Sequence, residues 1–99
     1  MTEQLSAETR ATLLPPLLQT GWQERADGKA ITKTFRFDDF ASAFGWMASV
    51  AIWAEKWDHH PEWFNVYNRV EVTLSTHDAD GLTQLDFDLA KAMNEIAGA

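Results

Sequence analysis

The chain has 99 residues, fifteen acidic against eight basic, a net charge of −7 and no cysteine; its length bounds it to one domain, 1–99, with a single modest core. The acidic balance disfavours direct binding to nucleic acid or to an anionic membrane, and the lack of cysteine excludes disulfides, thiolate nucleophiles and cysteine-held metals. No apolar run reaches the roughly 18 residues of a membrane span, and the first twenty residues lack a basic start followed by an apolar stretch, so a cytoplasmic protein is expected.

Ser6, followed by an alanine- and leucine-rich run, reads as the cap of a first helix, with Leu5 placed to pack back on it. Pro15-Pro16 should end or kink that helix, and Gly21 closes the segment. Trp22 to Glu24 and Ile31 to Phe37 read as two strands around the turn Arg25 to Lys29, where Asp27-Gly28 favours reversal. Ile31, Phe35 and Phe37 alternate with Thr32, Thr34 and Arg36, and Lys33 interrupts the apolar row.

Asp38 and Asp39 read as caps of the longest helix, whose positions Phe40, Ala43, Phe44, Met47, Val50, Ala51 and Ala54 follow the three-and-four spacing of one helical face. Trp46, Trp53 and Trp57 form an adjoining stripe. Five tryptophans, six phenylalanines and one tyrosine are more aromatic surface than a core of this size needs. Part of it is therefore expected to face a ligand or a second copy of the chain, and a homo-oligomer is expected.

From Trp63 to Thr76 the chain is rich in β-formers. A single strand of about twelve residues would hold His60 and His77 about 40 Å apart. A hairpin reversing near Tyr67-Asn68-Arg69 instead brings the two ends together, His59 and His77 each being nine residues from Asn68. Thr83-Gln84-Leu85-Asp86 then has the Thr-x-x-acid pattern of a helix start, with Leu85, Leu89, Ala92, Met93 and Ile96 as the buried face. The order helix-strand-strand-helix-strand-strand-helix implies an α+β two-layer sandwich, a four-stranded antiparallel sheet with three helices on one face.

All three histidines lie between positions 59 and 77, two of them adjacent in Asp58-His59-His60-Pro61-Glu62-Trp63. Imidazole both takes and gives a proton near neutrality, and Pro61 should stop a preceding helix so that the rings sit at an element edge. Glu55, four positions before His59, would orient that ring if the helix continued. Like-charge repulsion between the adjacent rings separates their protonation states, giving one base and one acid. His77, with Ser75 and Thr76 beside it, completes a three-histidine pocket for a polar heterocycle. Three histidines also suit zinc, but adjacent residues rarely aim at one ion and no His-x-x-x-His spacing occurs, so no metal is expected. Trp22 and Trp63 are candidates for stacking a flat ligand, and Asp86 suits a helix cap.

The run from Glu55 to Tyr67 around Asp58-His59-His60-Pro61, then Ser75-Thr76-His77, Gly81-Leu82 and Asp86, resembles the signature of the pterin-4a-carbinolamine dehydratases. The likeness extends through Gly21-Trp22 and Phe37 to Met47, nearly the whole chain. The resemblance implies an enzyme that dehydrates 4a-hydroxytetrahydropterin to quinonoid dihydropterin, serving an aromatic amino-acid hydroxylase and needing no cofactor. It implies His59, His60 and His77 as catalytic histidines and Asp58, Ser75, Thr76 and Asp78 as pterin-pocket positions, with Glu55, Trp22 and Asp86 also at pattern positions. The family's sheet is antiparallel and four-stranded, and its members form homodimers and homotetramers. Some animal members also bind a homeodomain transcription factor and promote its dimerisation, so the alternative to an enzyme is a dimerisation or transcription cofactor module.

Overall fold

A computed structural model describes residues 3–98. Helix α1, Ala7–Leu18, starts at Ser6, whose hydroxyl accepts the Thr9 N–H at 3.2 Å. Of the two outcomes expected at Pro15-Pro16, the helix does not end there: it continues through both prolines to Leu18. Two prolines leave the carbonyls of Ala11 and Thr12 without their usual intrahelical donors, but both residues are exposed, where solvent can take up the lost bonds. Gly21, at φ 99°, then reverses the chain, and the Trp22 N–H closes on the Leu17 carbonyl at 3.2 Å.

Strands β1, Gln23–Glu24, and β2, Ile31–Arg36, flank the expected turn, with Trp22 and Phe37 just outside them. The Arg25 guanidinium and the Lys29 backbone N–H bond Asp27 and hold its carboxyl down at about 2. Helix α2, Phe40–Lys56, is capped by Asp39, which accepts the Ser42 N–H at 2.7 Å and sits below the ordinary carboxylate range for that reason. Strands β3, Glu62–Val66, and β4, Arg69–Leu74, form the hairpin, and helix α3, Gln84–Ala97, ends the fold.

The sheet is antiparallel with order β1-β2-β4-β3. Ile31, Phe35, Val70, Val72 and Leu74 turn toward the helices and share one core with Leu17, Trp46, Val50, Leu89 and Met93. The opposite sheet face, with Thr34, Arg36, Glu71, Phe64 and Val66, is exposed. Lys33 points to the helix side: its Nζ donates to Asn94 Oδ1 of α3 at 2.8 Å and lies 4.4 Å from the Phe35 ring centre. Trp22 Nε1–H donates to the same oxygen at 3.1 Å. Asn94 thus explains how a lysine fits an apolar row, and partial burial lowers the Lys33 pKa below its ordinary value.

The inward face of α2 matches in part the one its periodicity suggested. Ala43, Trp46, Val50 and Ala54 are buried, whereas Phe40, Phe44 and Ala51 are exposed. Two overlapping stripes of α2 are apolar, and the core takes the one with Trp46. That indole lies 4.4 Å from Phe35 and 6.0 Å from Trp63 between ring centres, and its Nε1–H donates to the Met93 carbonyl at 3.1 Å. In α3, Leu89 and Met93 are buried as expected, Leu85, Ala92 and Ile96 only half so, and Asp86, Phe87, Ala90 and Asn94 take the remaining inner positions. Among the described residues no helix is long and apolar enough to cross a membrane.

Candidate active site

Because β3 and β4 are antiparallel, the chain entering β3 and the chain leaving β4 meet at one end of the sheet, where Glu62 pairs with Thr73. The connection is the two-residue loop Tyr67-Asn68, with Val66 opposite Arg69 and Tyr67 at φ 50°. The reversal is therefore centred between Tyr67 and Asn68 rather than on Asn68. Its consequence for the histidines survives this half-residue shift.

Helix α2 delivers the first pair. After its last residue, Lys56, Asp58 takes the left-handed conformation at φ 51°, its N–H donates to the Glu55 carbonyl at 3.2 Å, and the His59 N–H donates to the Ala54 carbonyl at 2.9 Å. This paired closure ends helices, usually with glycine at the left-handed position. It swings His59 inward and His60 outward. The helix thus stops short of His59, and Glu55 meets His60 instead: Glu55 Oε1 lies 3.1 Å from His60 Nε2. The sequence expectation that Glu55 orients His59 is overturned by that early termination.

The third histidine comes from the segment after β4. Thr76 and Gly81 form an isolated bridge around a 3-10 turn, His77–Ala79, which lifts His77 to the surface. Gln4 secures this turn from the N-terminal side, its Nε2 donating to the carbonyls of Ala79 at 2.9 Å and Asp80 at 3.2 Å. His77 Nε2 lies 3.7 Å from Glu62 Oε1, a carboxylate the sequence reading did not single out.

Asp58, His59, His60, Ser75, Thr76, His77 and Asp78 together line an open pocket of about 310 Å³. The three imidazoles and four of the seven other candidate positions are brought together there. Glu55 stands behind His60, and Asp86 behind His59. Trp22 does not join them: it is 1% exposed, packed edge-on against Phe35 and bonded to Asn94, so its indole supports the core rather than stacking a ligand from this position. Trp63, the other stacking candidate, is half-buried against Trp46.

Asp86 is fully buried and does two things at once. Its Oδ2 accepts the Thr83 N–H at 2.9 Å, the helix-capping role, and the Thr76 hydroxyl at 2.8 Å. Its Oδ1 lies 2.6 Å from His59 Nε2. As a carboxylate it only accepts, so the proton of that contact is on Nε2. His59 Nδ1 has no hydrogen-bond partner among the described residues, and His59 is on the pocket lining. The side chains differ sharply in exposure: 9% for His59, against 59% for His60 and 79% for His77. The result is one imidazole of fixed orientation and two at the rim, each facing a carboxylate. Such a set can move protons to and from a small polar molecule. No group of three His, Asp or Glu side chains among the described residues is arranged to hold a metal ion.

The model of the family described as pterin 4 alpha carbinolamine dehydratase matches residues 3–96. A protein of Roseobacter denitrificans, provisionally named a pterin-4-alpha-carbinolamine dehydratase, is 59% identical over 98 residues, covering 99% of this chain and all of that one. A similarly named protein of Ruegeria pomeroyi is 59% identical over 97% of this chain and 99% of its own length. Among solved structures, a transcriptional coactivator/pterin dehydratase from Brucella melitensis superposes with a TM-score of 0.89 at 51% identity, covering 97% of this chain and all of that chain. A pterin dehydratase-like RuBisCO assembly factor of the alpha-carboxysome shares the fold alone, with a TM-score of 0.69 at 21% identity over 80% of this chain and 92% of that one. With a family model spanning almost every residue and relatives matched end to end at this identity, the chain belongs to the pterin-4a-carbinolamine dehydratase family.

Proposed function

We propose that the protein removes water from 4a-hydroxytetrahydropterin to give quinonoid dihydropterin, by proton transfer among His59, His60 and His77 in the cytoplasm. One imidazole takes the proton of the ring nitrogen next to the carbinol carbon, and the nitrogen's electrons form the C=N bond as the C–O bond breaks. A second, protonated imidazole gives its proton to the departing hydroxyl, which leaves as water. No electron is gained or lost, so no cofactor is needed. Each well-placed acid or base contributes about 10²–10⁴ in rate.

The observation that carries this reading is the convergence of the three rings on one pocket, with His59 pinned by a buried carboxylate. Asp58, Ser75, Thr76 and Asp78 on the same lining supply polar contacts suited to a heterocycle with several ring nitrogens. The test adds purified protein to 4a-hydroxypterin freshly generated by an aromatic amino-acid hydroxylase and follows the ultraviolet spectrum. Dehydration faster than the spontaneous reaction, abolished when all three histidines are replaced by alanine in a folded protein, supports it. No acceleration refutes it.

A second reading, a dimerisation or transcription cofactor module, draws on the apolar exposure of α2: Phe40, Phe44, Ile52 and Trp53 all face outward. The name of the Brucella structure couples a coactivator with a dehydratase. The same surface supports a homodimer or homotetramer. Sedimentation of the wild-type chain and of a Phe44→Glu variant, together with a binding assay on the histidine-free variant, separates catalysis from assembly and partner binding.

A further inference from the structure

The carboxylate behind His59 is itself held by a chain of two buried threonines, 6% and 3% exposed. Thr76 Oγ1 donates to Asp86 Oδ2 at 2.8 Å. A hydroxyl has one proton, so the 2.8 Å contact between the Thr76 and Thr83 hydroxyls is donated by Thr83. Every proton in the network then points the same way: Thr83 O–H to Thr76, Thr76 O–H and Thr83 N–H to Oδ2, His59 Nε2–H to Oδ1. With Oδ2 occupied by two donors, Oδ1 is left for the imidazole.

We propose that Thr76 and Thr83 are positioning residues that act through Asp86 to hold His59 in its Nε2–H tautomer, so that Nδ1 is the nitrogen offered to the pocket. The proposal rests on reading His59 as part of the dehydratase site, but its geometry is testable without any turnover. Thr83 is the cleaner probe because it does not line the pocket. Thr76 is itself on the lining, and sequence reasoning placed it there only as a ligand contact. Loss of the outer partner that orients a metal-ligating histidine costs about 10–100-fold, and the lower end of that range is expected for these more remote hydroxyls.

The test follows the ring nitrogens of His59 by NMR in histidine-labelled protein, beside kcat and KM for wild type, Thr76→Val, Thr83→Val, Thr76→Ser and Thr83→Ser. The expected wild-type spectrum shows Nε2 protonated and Nδ1 bare. Both valine variants should mix the tautomers and lower kcat by about tenfold, with KM nearly unchanged in Thr83→Val, which is off the lining, while both serine variants restore the wild-type tautomer. A wild-type His59 protonated at Nδ1 overturns the proposal even if a valine variant fails to fold. So do valine variants with an unmoved tautomer, or serine variants as impaired as the valines, which would assign the threonines to packing alone. A tautomer that responds as described in a protein without dehydratase activity would refute the proposed reaction and leave the positioning intact.

Discussion

Replacing Asp86 by asparagine preserves shape and removes one acceptor. The carboxylate accepts three bonds, from His59 Nε2–H at 2.6 Å, the Thr76 hydroxyl at 2.8 Å and the Thr83 N–H at 2.9 Å. An amide has one oxygen and one NH2, so it cannot serve both sides. The Thr83 N–H is backbone at a helix start and cannot change its role, so the amide oxygen turns toward the threonines and the NH2 toward His59. That forces His59 to accept at Nε2 and carry its proton on Nδ1, the opposite tautomer. Bonds to a charged acceptor contribute roughly 1.5–3 kcal/mol against about 0.5–1.5 for neutral ones, a gross loss of about 3–4 kcal/mol over three bonds. Removing a buried charge returns part of this, leaving a net destabilisation of about 1–2 kcal/mol. Activity should fall much further, by about 10²–10⁴, because the pocket-facing nitrogen changes from acceptor to donor. Urea unfolding, pterin dehydration kinetics and the His59 ring-nitrogen spectrum measure the three quantities. A variant with kcat within threefold of wild type and an unchanged tautomer would reduce Asp86 to a helix cap and break the argument.

Trp46→Ala should cost about 3–5 kcal/mol in urea unfolding, because the lost ring packs on Phe35, Phe37 and Trp63 and its N–H holds the Met93 carbonyl; a loss below 1 kcal/mol would contradict the packing described. Lys33 has a folded-state pKa below its ordinary 10.5 because of burial. Its charge therefore penalises folding below the lowered value, and the penalty disappears as pH rises through the window up to 10.5. Wild type should gain stability relative to Lys33→Gln across that window, and parallel urea midpoints for the two proteins would contradict the sign. A Cβ at Gly81 would stand 2.9 Å from the Gln4 side chain, which secures the His77 turn. Gly81→Ala should therefore release Gln4, destabilise by about 1 kcal/mol, and speed amide exchange in residues 77–80 more than in β4; uniform exchange would rule that out.

Local chemistry made much of this legible before any coordinates. The caps at Ser6 and Asp39, the turn at Asp27-Gly28 and the β-rich run broken at Tyr67-Asn68 are short-range signals, and the elements form where these residues place them. What escaped was decided by long-range packing. The periodicity of α2 fits two neighbouring stripes, and only the space between Phe35 and Trp63 selects the one with Trp46. Lys33 looked like a flaw in β2 until Asn94, 61 residues away, supplied its acceptor. At the site, the clustering of histidines was visible, yet their carboxylate partners were not. Glu55 was matched to His59 by helical spacing, but a left-handed Asp58 ends the helix first and hands the carboxylate to His60. Glu62 carries no local mark of its proximity to His77, and the Thr83 hydroxyl looked like a simple helix cap.

The contrast in burial divides the work among the three rings. His59 is held by a buried network, which salt screens much less than it does a surface pair. His60 and His77 face Glu55 and Glu62 across exposed contacts of 3.1 and 3.7 Å, the kind of surface pair that is weak, screened and free to rearrange. The dehydration proposed above needs both behaviours. One group must keep a defined lone pair aimed at the bound molecule, and others must exchange protons with solvent so that the site returns to its starting state after each water is lost. Two left-handed aspartates, Asp58 and Asp80, bracket the segments that carry the rings. They put a backbone cost of about 1–2 kcal/mol each at the site itself, which the Trp46-centred core and the antiparallel ladder offset from a distance. The division follows from the fold: the helix end and the helix start meet inside, at His59 and Asp86, while His60 and His77, beyond the hairpin's free ends, line the same pocket from its exposed side.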